Sequence, residues 1–381
     1  MWRILYIVST LRRCGPTRQL FNLVKYLNRN LFLPQILTLS AEPQDSMEKD
    51  FTRIGVLVQS LRFSHLLGLF YAREVFTRTV ASIEPDVVHT SGLRADTLAR
   101  KYLADLPRLL TVRNYPFLDY PQKFGKIRGH LMAQFHIQVI RNSPVSVACS
   151  QSVAEMFHRN LGLSSLHVIH NGVDMDIFQL DQSKKTLLRQ KYNVASDHTV
   201  FLSVGSLAAR KSPQIIIEAF RKVGLRRGTL IFVGDGPLAS LLQQKAQADT
   251  NIIFAGQQSC VSDFLQMSDF FVSVSLAEGL PNAVLEAMAC GLPCILSDIE
   301  PHREILSFDQ KAGKITPVGD VEKLANVIDE LAKITKMDYE SMSKAARGIV
   351  HNHFSAQKMS EKYQDVYKKL TQLRTISCIG K

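Results

Sequence analysis

Short apolar runs rich in β-branched residues alternate with longer stretches of helical periodicity along almost the whole chain. That rhythm predicts parallel sheets covered by crossover helices. In the front half the pattern gives strands at Ile4–Val8, Gln35–Leu39, Val56–Gln59, Val87–His89, Leu109–Val112, Val145–Ala148 and His167–Ile169, with helices such as Thr17–Leu27, Ala95–Leu103 and Ser152–Asn160 between them. The rhythm breaks at Asn171–Asn193, where a turn-like Asn-Gly-Val-Asp precedes polar, Lys-rich sequence, so a linker is expected there. Alternation restarts with strands at Val200–Val204, Leu230–Val233, Ile252–Phe254, Phe271–Val274 and Cys294–Leu296, ending in a helix at Val321–Ala332. The fold class is therefore α/β, with two Rossmann-like units in tandem: 1–175, 176–355, and an amphipathic helix over 356–381 crossing back to the first. Facing sheets of this kind would form a cleft between the units, since ligands bind at the carboxyl ends of parallel strands.

Length and composition agree. The 381 residues, 46% hydrophobic and 21% charged, suit two or three ordinary globular cores and exclude collagen-like, disordered or polytopic membrane classes. The Ile4–Val8 run is too short for a secretory core, so a cytoplasmic protein is expected. Six scattered cysteines lack metal-ligand spacing and are expected as buried free thiols. Net charge is +12; residues 1–180 hold 21 Lys/Arg against 13 Asp/Glu, making the front half the more basic. Without a nucleic-acid motif or a dense basic block, this excess points away from nucleic acid. It favours an anionic membrane leaflet or a phosphorylated substrate. The stretch Arg62–Arg73 sets apolar residues between cations, as either a membrane-contacting segment or a core helix with charged ends.

The richest string for chemistry is Leu276–Leu296. Pro281 suits a helix start and Gly291 its end, so Glu278-Gly279-Leu280 form a loop leading to helix amides that hold an anion. Glu286, in an apolar run, either pairs with a local cation or accepts hydrogen bonds from the paired hydroxyls of a ribose. At the end of the Val200–Val204 strand, Gly205-Ser206 lead to Arg210-Lys211, two cations suited to a leaving diphosphate, although such a pair also occurs as solvated surface charge. Gly234-Asp-Gly236-Pro-Leu-Ala239 matches a dinucleotide fingerprint, but it follows the second strand of its unit and lacks the later acidic ribose ligand, which argues against nicotinamide or flavin. In the front half, Gly15 permits close backbone approach before a helix starting at Pro16-Thr17, and Arg113-Asn-Tyr-Pro116 follows a strand end; both also read as surface loops. Asp174-Met-Asp176 has the form of a D-x-D metal motif but sits where a turn is expected.

Glu278-x7-Glu286, Gly205…Arg210-Lys211, Gly234-Asp-Gly-Pro237 and Ile169-His-Asn-Gly-Val-Asp174…Phe178 together resemble the retaining glycosyltransferases of family 4, which have the GT-B fold. The likeness spans nearly the whole chain. It implies that Glu278 lies near the transferred sugar, that Glu286 binds the nucleotide ribose, and that Arg210 and Lys211 neutralise the diphosphate, with no bound metal or other cofactor. The implied donor set is Gly15, Ser206, Gly234, Gly236, Gly279, Leu280, Pro281, Asn282 and Glu286. This chain departs from the family at Ser206, where many members carry Arg, and at Arg113, where many carry a donor-contacting His. The resemblance implies transfer from a nucleotide-sugar, UDP-linked in first choice, to a lipid-linked or surface-glycan acceptor at an anionic inner membrane. Two alternatives stay open: a UDP-sugar 2-epimerase-like isomerase of the same fold, and a non-catalytic nucleotide-sugar-binding subunit.

Overall fold

A computed structural model describes residues 1–63 and 68–379, and the side chains within them except those of 68–72, 182 and 373–379. The chain divides into two compact units, Met1–Gly172 with Ala356–Lys381, and Val173–Ser355.

The first unit contains β1 (Trp2–Val8), β2 (Phe32–Thr38), β3 (Leu57–Ser60), β4 (Val87–Thr90), β5 (Arg108–Val112), β6 (Ser146–Ala148) and β7 (Leu166–Val168). All pair in parallel, in the order β3-β2-β1-β4-β5-β6-β7. The second unit contains β8 (Thr199–Val204), β9 (Gly228–Val233), β10 (Ile252–Phe254), β11 (Phe270–Ser273), β12 (Cys294–Ser297) and β13 (Gly313–Thr316). These form another parallel sheet, ordered β10-β9-β8-β11-β12-β13. In both sheets the strand order reverses direction beside the first strand, between β1 and β4 and between β8 and β11. Crossover helices diverge at such a point, which leaves a crevice at the carboxyl ends of the two strands.

The helix Ala356–Ile379 packs on the first unit, placing Met359, Tyr363, Tyr367 and Leu370 in its core beside Ile4, Phe32 and Leu109. Ser360 donates to the Leu23 carbonyl at 2.9 Å, fixing this helix against Gly15–Lys25. Among the described residues, no helix is long and apolar enough to cross a membrane.

Several expectations need correction. Asn171–Asn193 is not a linker throughout: it contains the helix Gln182–Lys191, and the Val173 amide already bonds to Phe354 O at 2.8 Å within the second unit. Its basic residues anchor it, because buried Arg189 donates to Asp269 at 2.7 Å and to three backbone carbonyls, and Lys185 reaches the same carboxylate. β13 escapes the sequence pattern because Gly-Lys-Ile-Thr has no clear alternation, and so does the helix Lys336–His353. Cys149, Cys290 and Cys294 are buried, but Cys14 and Cys260 are exposed, since each precedes a helix at a loop end rather than lying inside a strand. Within Arg62–Arg73, residues 64–67 lie outside the described residues, and so do the side chains of 68–72.

Glycines set the spacing of the loops above β8 and β9. A Cβ on Gly234, whose φ is +135°, would lie 2.0 Å from Gly205 O, and one on Gly236 would lie 2.7 Å from Leu207 O. Here the fingerprint-like string brings two backbone loops together, with Leu207 N bonding to Asp235 O at 3.0 Å and Leu238 N to Leu207 O at 2.9 Å. Gly234→Ala combines an unfavourable backbone angle with a main-chain clash and is expected to cost about 2–4 kcal/mol. Denaturant unfolding checks this; a loss below about 0.5 kcal/mol would show that the two loops separate without strain.

Candidate functional site

The crevice between β8 and β11 collects most of the residues singled out from the sequence. After β8 the chain turns through the short 3-10 helix Ala209–Lys211 and reaches Ser212, a buried non-glycine residue in the left-handed region with φ +48°. That conformation costs roughly 1–2 kcal/mol. It reverses the chain so that Pro213, with its φ already suited to a first helical turn, begins the helix Pro213–Val223. Arg210 and Lys211 are thereby held at the mouth of the crevice. The Arg210 carbonyl accepts from Leu276 N at 2.8 Å, and its Nη1 donates to the Ala277 carbonyl at 2.5 Å, locking this turn to the loop after β11.

Glu278 lies on that second loop with its side chain 8% exposed. Its Oε1 accepts from Lys211 Nζ at 2.5 Å and its Oε2 from Arg210 Nη1 at 2.9 Å. Burial alone would push this carboxyl upward and is the largest single influence on it. The charges of Lys211 and Arg210, with hydrogen bonds from Lys211 and Ser275, outweigh it and hold the group at about 2. The cluster is thus one carboxylate and two cations, a net positive charge in a half-sheltered crevice. Three residues further on, Pro281 caps the helix Asn282–Ala289 without a side-chain cap bond, so the positive end of its dipole adjoins the same loop. His302 lies behind the cluster. It is fully buried, and its Nδ1 donates to the Ser297 carbonyl at 2.8 Å, while Nε2 has no partner. Burial lowers its pKa to about 4, against the hydrogen bond to Ser297 and the field of Glu278, which raise it. It is neutral at pH 7 and adds no charge.

The first unit has a cavity of about 150 Å³ at its own crevice, reached by Ser9–Leu11 after β1, Ser91 after β4 and Arg113 after β5. Behind it lies a buried network: His89 contacts Tyr367 Oη at 2.7 Å and Thr111 Oγ1 at 2.8 Å, and Tyr363 Oη meets Thr111 Oγ1 at 2.8 Å. Burial, then the charge of Arg113, lowers His89 to about 3, so it is a fixed neutral group. Arg113 donates from Nη1 to Asn171 Oδ1 at 2.8 Å, its buried Nε has no partner, and it has no acidic partner among the described residues. Gly172 is held by Gln19 and Asn22 at 2.8 Å each, so the Ile169–Val173 string is pinned to the first helix.

Two family models match this chain, "Glycosyltransferase Family 4" over residues 14–177 and "Glycosyl transferases group 1" over 184–348. The O-antigen biosynthesis glycosyltransferase WclY of Escherichia coli is 25% identical over 97% of this chain and 98% of its own length. An E. coli enzyme named UDP-Gal:alpha-D-GlcNAc-diphosphoundecaprenol alpha-1,3-galactosyltransferase is 27% identical over 74% of this chain and 75% of its own. Among solved structures, Anabaena HepE in complex with UDP and glucose superposes with a TM-score of 0.82 at 18% identity, covering 97% of this chain and 100% of that one. The chain belongs to glycosyltransferase family 4.

Its fold is GT-B, built from the two parallel-sheet units described above. In this glycosyltransferase Glu278, Arg210 and Lys211 form one contiguous cluster, with Gly279, Leu280, Pro281 and Asn282 continuing from it into the helix that carries Glu286. Ser206 is exposed on the same β8 loop, whereas Gly234 and Gly236 serve the packing of the neighbouring loops. Gly15 and Arg113 belong to the first unit, where Gly15 opens the helix whose Pro16 and Thr17 line the cavity. Asp174-Met-Asp176 is a turn, with Asp176 N bonding to Asp174 Oδ1 at 3.1 Å. Among the described residues, no group of three or more His, Cys, Asp or Glu side chains is placed to hold a metal ion. Sequence reasoning missed Ser275, His302 and the His89 network. The signal for the last was a lone histidine ending an apolar strand together with tyrosines four apart, Tyr363 and Tyr367.

Because Glu278 titrates lower in the folded protein than its ordinary 4.5, its contribution to stability is present above pH 4.5 and is lost as pH falls towards about 2. Glu278→Gln is expected to lose about 3 kcal/mol at pH 7 by denaturant unfolding, with the gap from the wild type narrowing below pH 4.5. A gap unchanged between pH 7 and pH 3.5 would show that the ion cluster does not hold the loops.

Proposed function

We propose that this glycosyltransferase moves a hexosyl or N-acetylhexosaminyl group from a nucleoside-diphosphate sugar to a lipid-linked surface-glycan acceptor, with retention of anomeric configuration and without a metal ion. UDP is the favoured nucleotide. The observation that carries this reading is the pairing of Arg210 and Lys211 with a buried Glu278 beside a helix start. Cleaving a sugar–diphosphate bond builds negative charge on the departing oxygen, and cations already fixed in place stabilise that charge without reorganising. Lys211 and Arg210 would bind the diphosphate oxygens, supplying the positive charge that a metal ion provides in other phosphate sites. Glu278 would keep them aimed before the donor arrives and afterwards face the sugar as its positive charge develops. Glu286, one helical turn beyond the loop, would accept from the ribose hydroxyls.

Two names support the choice of substrates. The E. coli galactosyltransferase is named for a UDP-sugar donor and a diphosphoundecaprenol-linked acceptor, and HepE is titled in complex with UDP and glucose. An acceptor of that class, together with the basic front half, favours work at the cytoplasmic face of the inner membrane.

Purified protein, offered a panel of UDP- and GDP-sugars with bacterial membranes as the source of lipid-linked acceptor, is expected to release nucleoside diphosphate with one donor, and equally so after treatment with a metal chelator. Lys211→Ala is expected to lower kcat by about 10²–10³ with a much smaller change in donor Kd, because leaving-group charge grows in the transition state. Donor epimerised without acceptor would turn the assignment to an isomerase. Donor binding without turnover in the presence of membranes would turn it to a non-catalytic subunit. A chelator-sensitive rate would remove the metal-free mechanism.

A further inference from the structure

The paired helices Pro116–Phe124 and Lys126–Arg141 carry apolar residues on a face that, among the described residues, nothing in their own unit covers. The inward side of the second helix is accounted for by Ala133, Ile137, Val139 and Ile140, all buried in the first unit. Its outward side repeats the apolar pattern at four-residue spacing: Ile127 is 83% exposed, Leu131 63% and Phe135 51%, and the preceding helix adds Leu118 and Phe124. Residues four apart lie in one stripe, so these side chains make a continuous ridge rather than scattered exposures. The ridge is rigid, since Gly129 packs so closely under Pro121 that a Cβ there would lie 2.5 Å from main-chain atoms. Beside it runs an open groove of about 510 Å³, lined by Phe117, Leu131, Phe135, Leu161 and Arg141 among others, with no carboxylate in its lining.

The charges around this ridge decide what it fits. Lys126, Arg128 and Arg141 are exposed, and the helix Lys126–Arg141 contains no Asp or Glu at all. The acidic residue of the neighbouring helix, Asp119, is already neutralised by Lys123 at 2.7 Å. Arg128 lies over the Phe124 ring at 5.9 Å, so its cation accompanies the apolar surface instead of pointing away from it. An apolar stripe flanked only by cations is complementary to a surface offering hydrocarbon beneath a layer of negative charge. A contiguous exposed patch of this kind marks an interaction face.

We propose that the ridge formed by Leu118, Phe124, Ile127, Leu131 and Phe135, with Lys126 and Arg128 at its edge, docks this enzyme onto an anionic lipid bilayer. Ile127, Leu131 and Phe135 enter the boundary between headgroups and acyl chains, and Lys126 and Arg128 bind lipid phosphates. The proposal deepens the reading of a lipid-linked acceptor, but its evidence is this surface alone.

The test is flotation of the full-length protein with vesicles of phosphatidylethanolamine containing about one-third phosphatidylglycerol, against vesicles of phosphatidylcholine alone, without donor or acceptor. The wild type is expected to float with the anionic vesicles, less so in high salt. Ile127→Ser, Leu131→Ser and Phe135→Ser combined, and separately Lys126→Glu with Arg128→Glu, are each expected to weaken vesicle binding at least about tenfold. Their thermal unfolding and donor binding should match the wild type, which separates failure of docking from failure of the transferase reading. Undiminished flotation of either variant, or equal binding to the uncharged vesicles, would overturn the proposal. So would light scattering that shows a wild-type dimer dissociated by the triple substitution while vesicle binding is absent, since a second copy would then be the partner.

Discussion

A carboxylate shut between two cations governs the second unit. Glu278 reaches Arg210 and Lys211 from 68 and 67 residues away, and this contact turns two independent loops, one after β8 and one after β11, into a single wall of the crevice. Taking any of the three charges out of water is costly, and breaking a buried pair commonly costs about 3–5 kcal/mol because the remaining charge is uncompensated. The arrangement persists because the backbone bond from Leu276 N to the Arg210 carbonyl fixes the same two loops independently of charge, and the Arg210 guanidinium adds a bond to the Ala277 carbonyl. The cluster therefore has a position before any ligand enters. That is the condition under which electrostatic stabilisation needs no reorganisation at the moment of reaction.

Each unit uses the same topological device with different chemistry. At the strand-order reversal of the first sheet the crevice is walled by hydroxyls, a neutral buried histidine and the cation Arg113; at that of the second it holds an ion cluster of net positive charge beside a helix start. Burial enforces the neutrality of His89 and His302 alike, which leaves Arg113, Arg210 and Lys211 to set the local fields.

Much of this was legible in the sequence, for definite reasons. Strand runs such as Ile252–Phe254 were found because β-branched and aromatic residues bounded by turns have few other readings. Glu278, Arg210 and Lys211 were singled out because charged residues beside glycines at strand ends are rarely placed there by packing. Their mutual pairing was not legible, since it depends on which strands become neighbours. Distance along the chain hid the network of His89 with Tyr367, separated by 278 positions. Lysine-rich Gln182–Lys191 was misread because its composition resembles a linker, and only Asp269, far along the chain, makes it a seated helix. The close approach of the Gly234 and Gly236 string to the loop beside it was not legible either, because it depends on β8 and β9 becoming neighbours.

The return of the helix Ala356–Ile379 to the first unit has a consequence for biogenesis. Tyr363 and Tyr367 complete a core that begins with Ile4 and Tyr6, so the domain whose strands are made first receives a wall from a segment made after the whole of the second unit. During synthesis the second unit has its whole sequence out of the ribosome earlier than the first and can reach its native packing while its predecessor still exposes apolar surface. Such delayed closure prolongs the time in which a nascent chain needs chaperone protection.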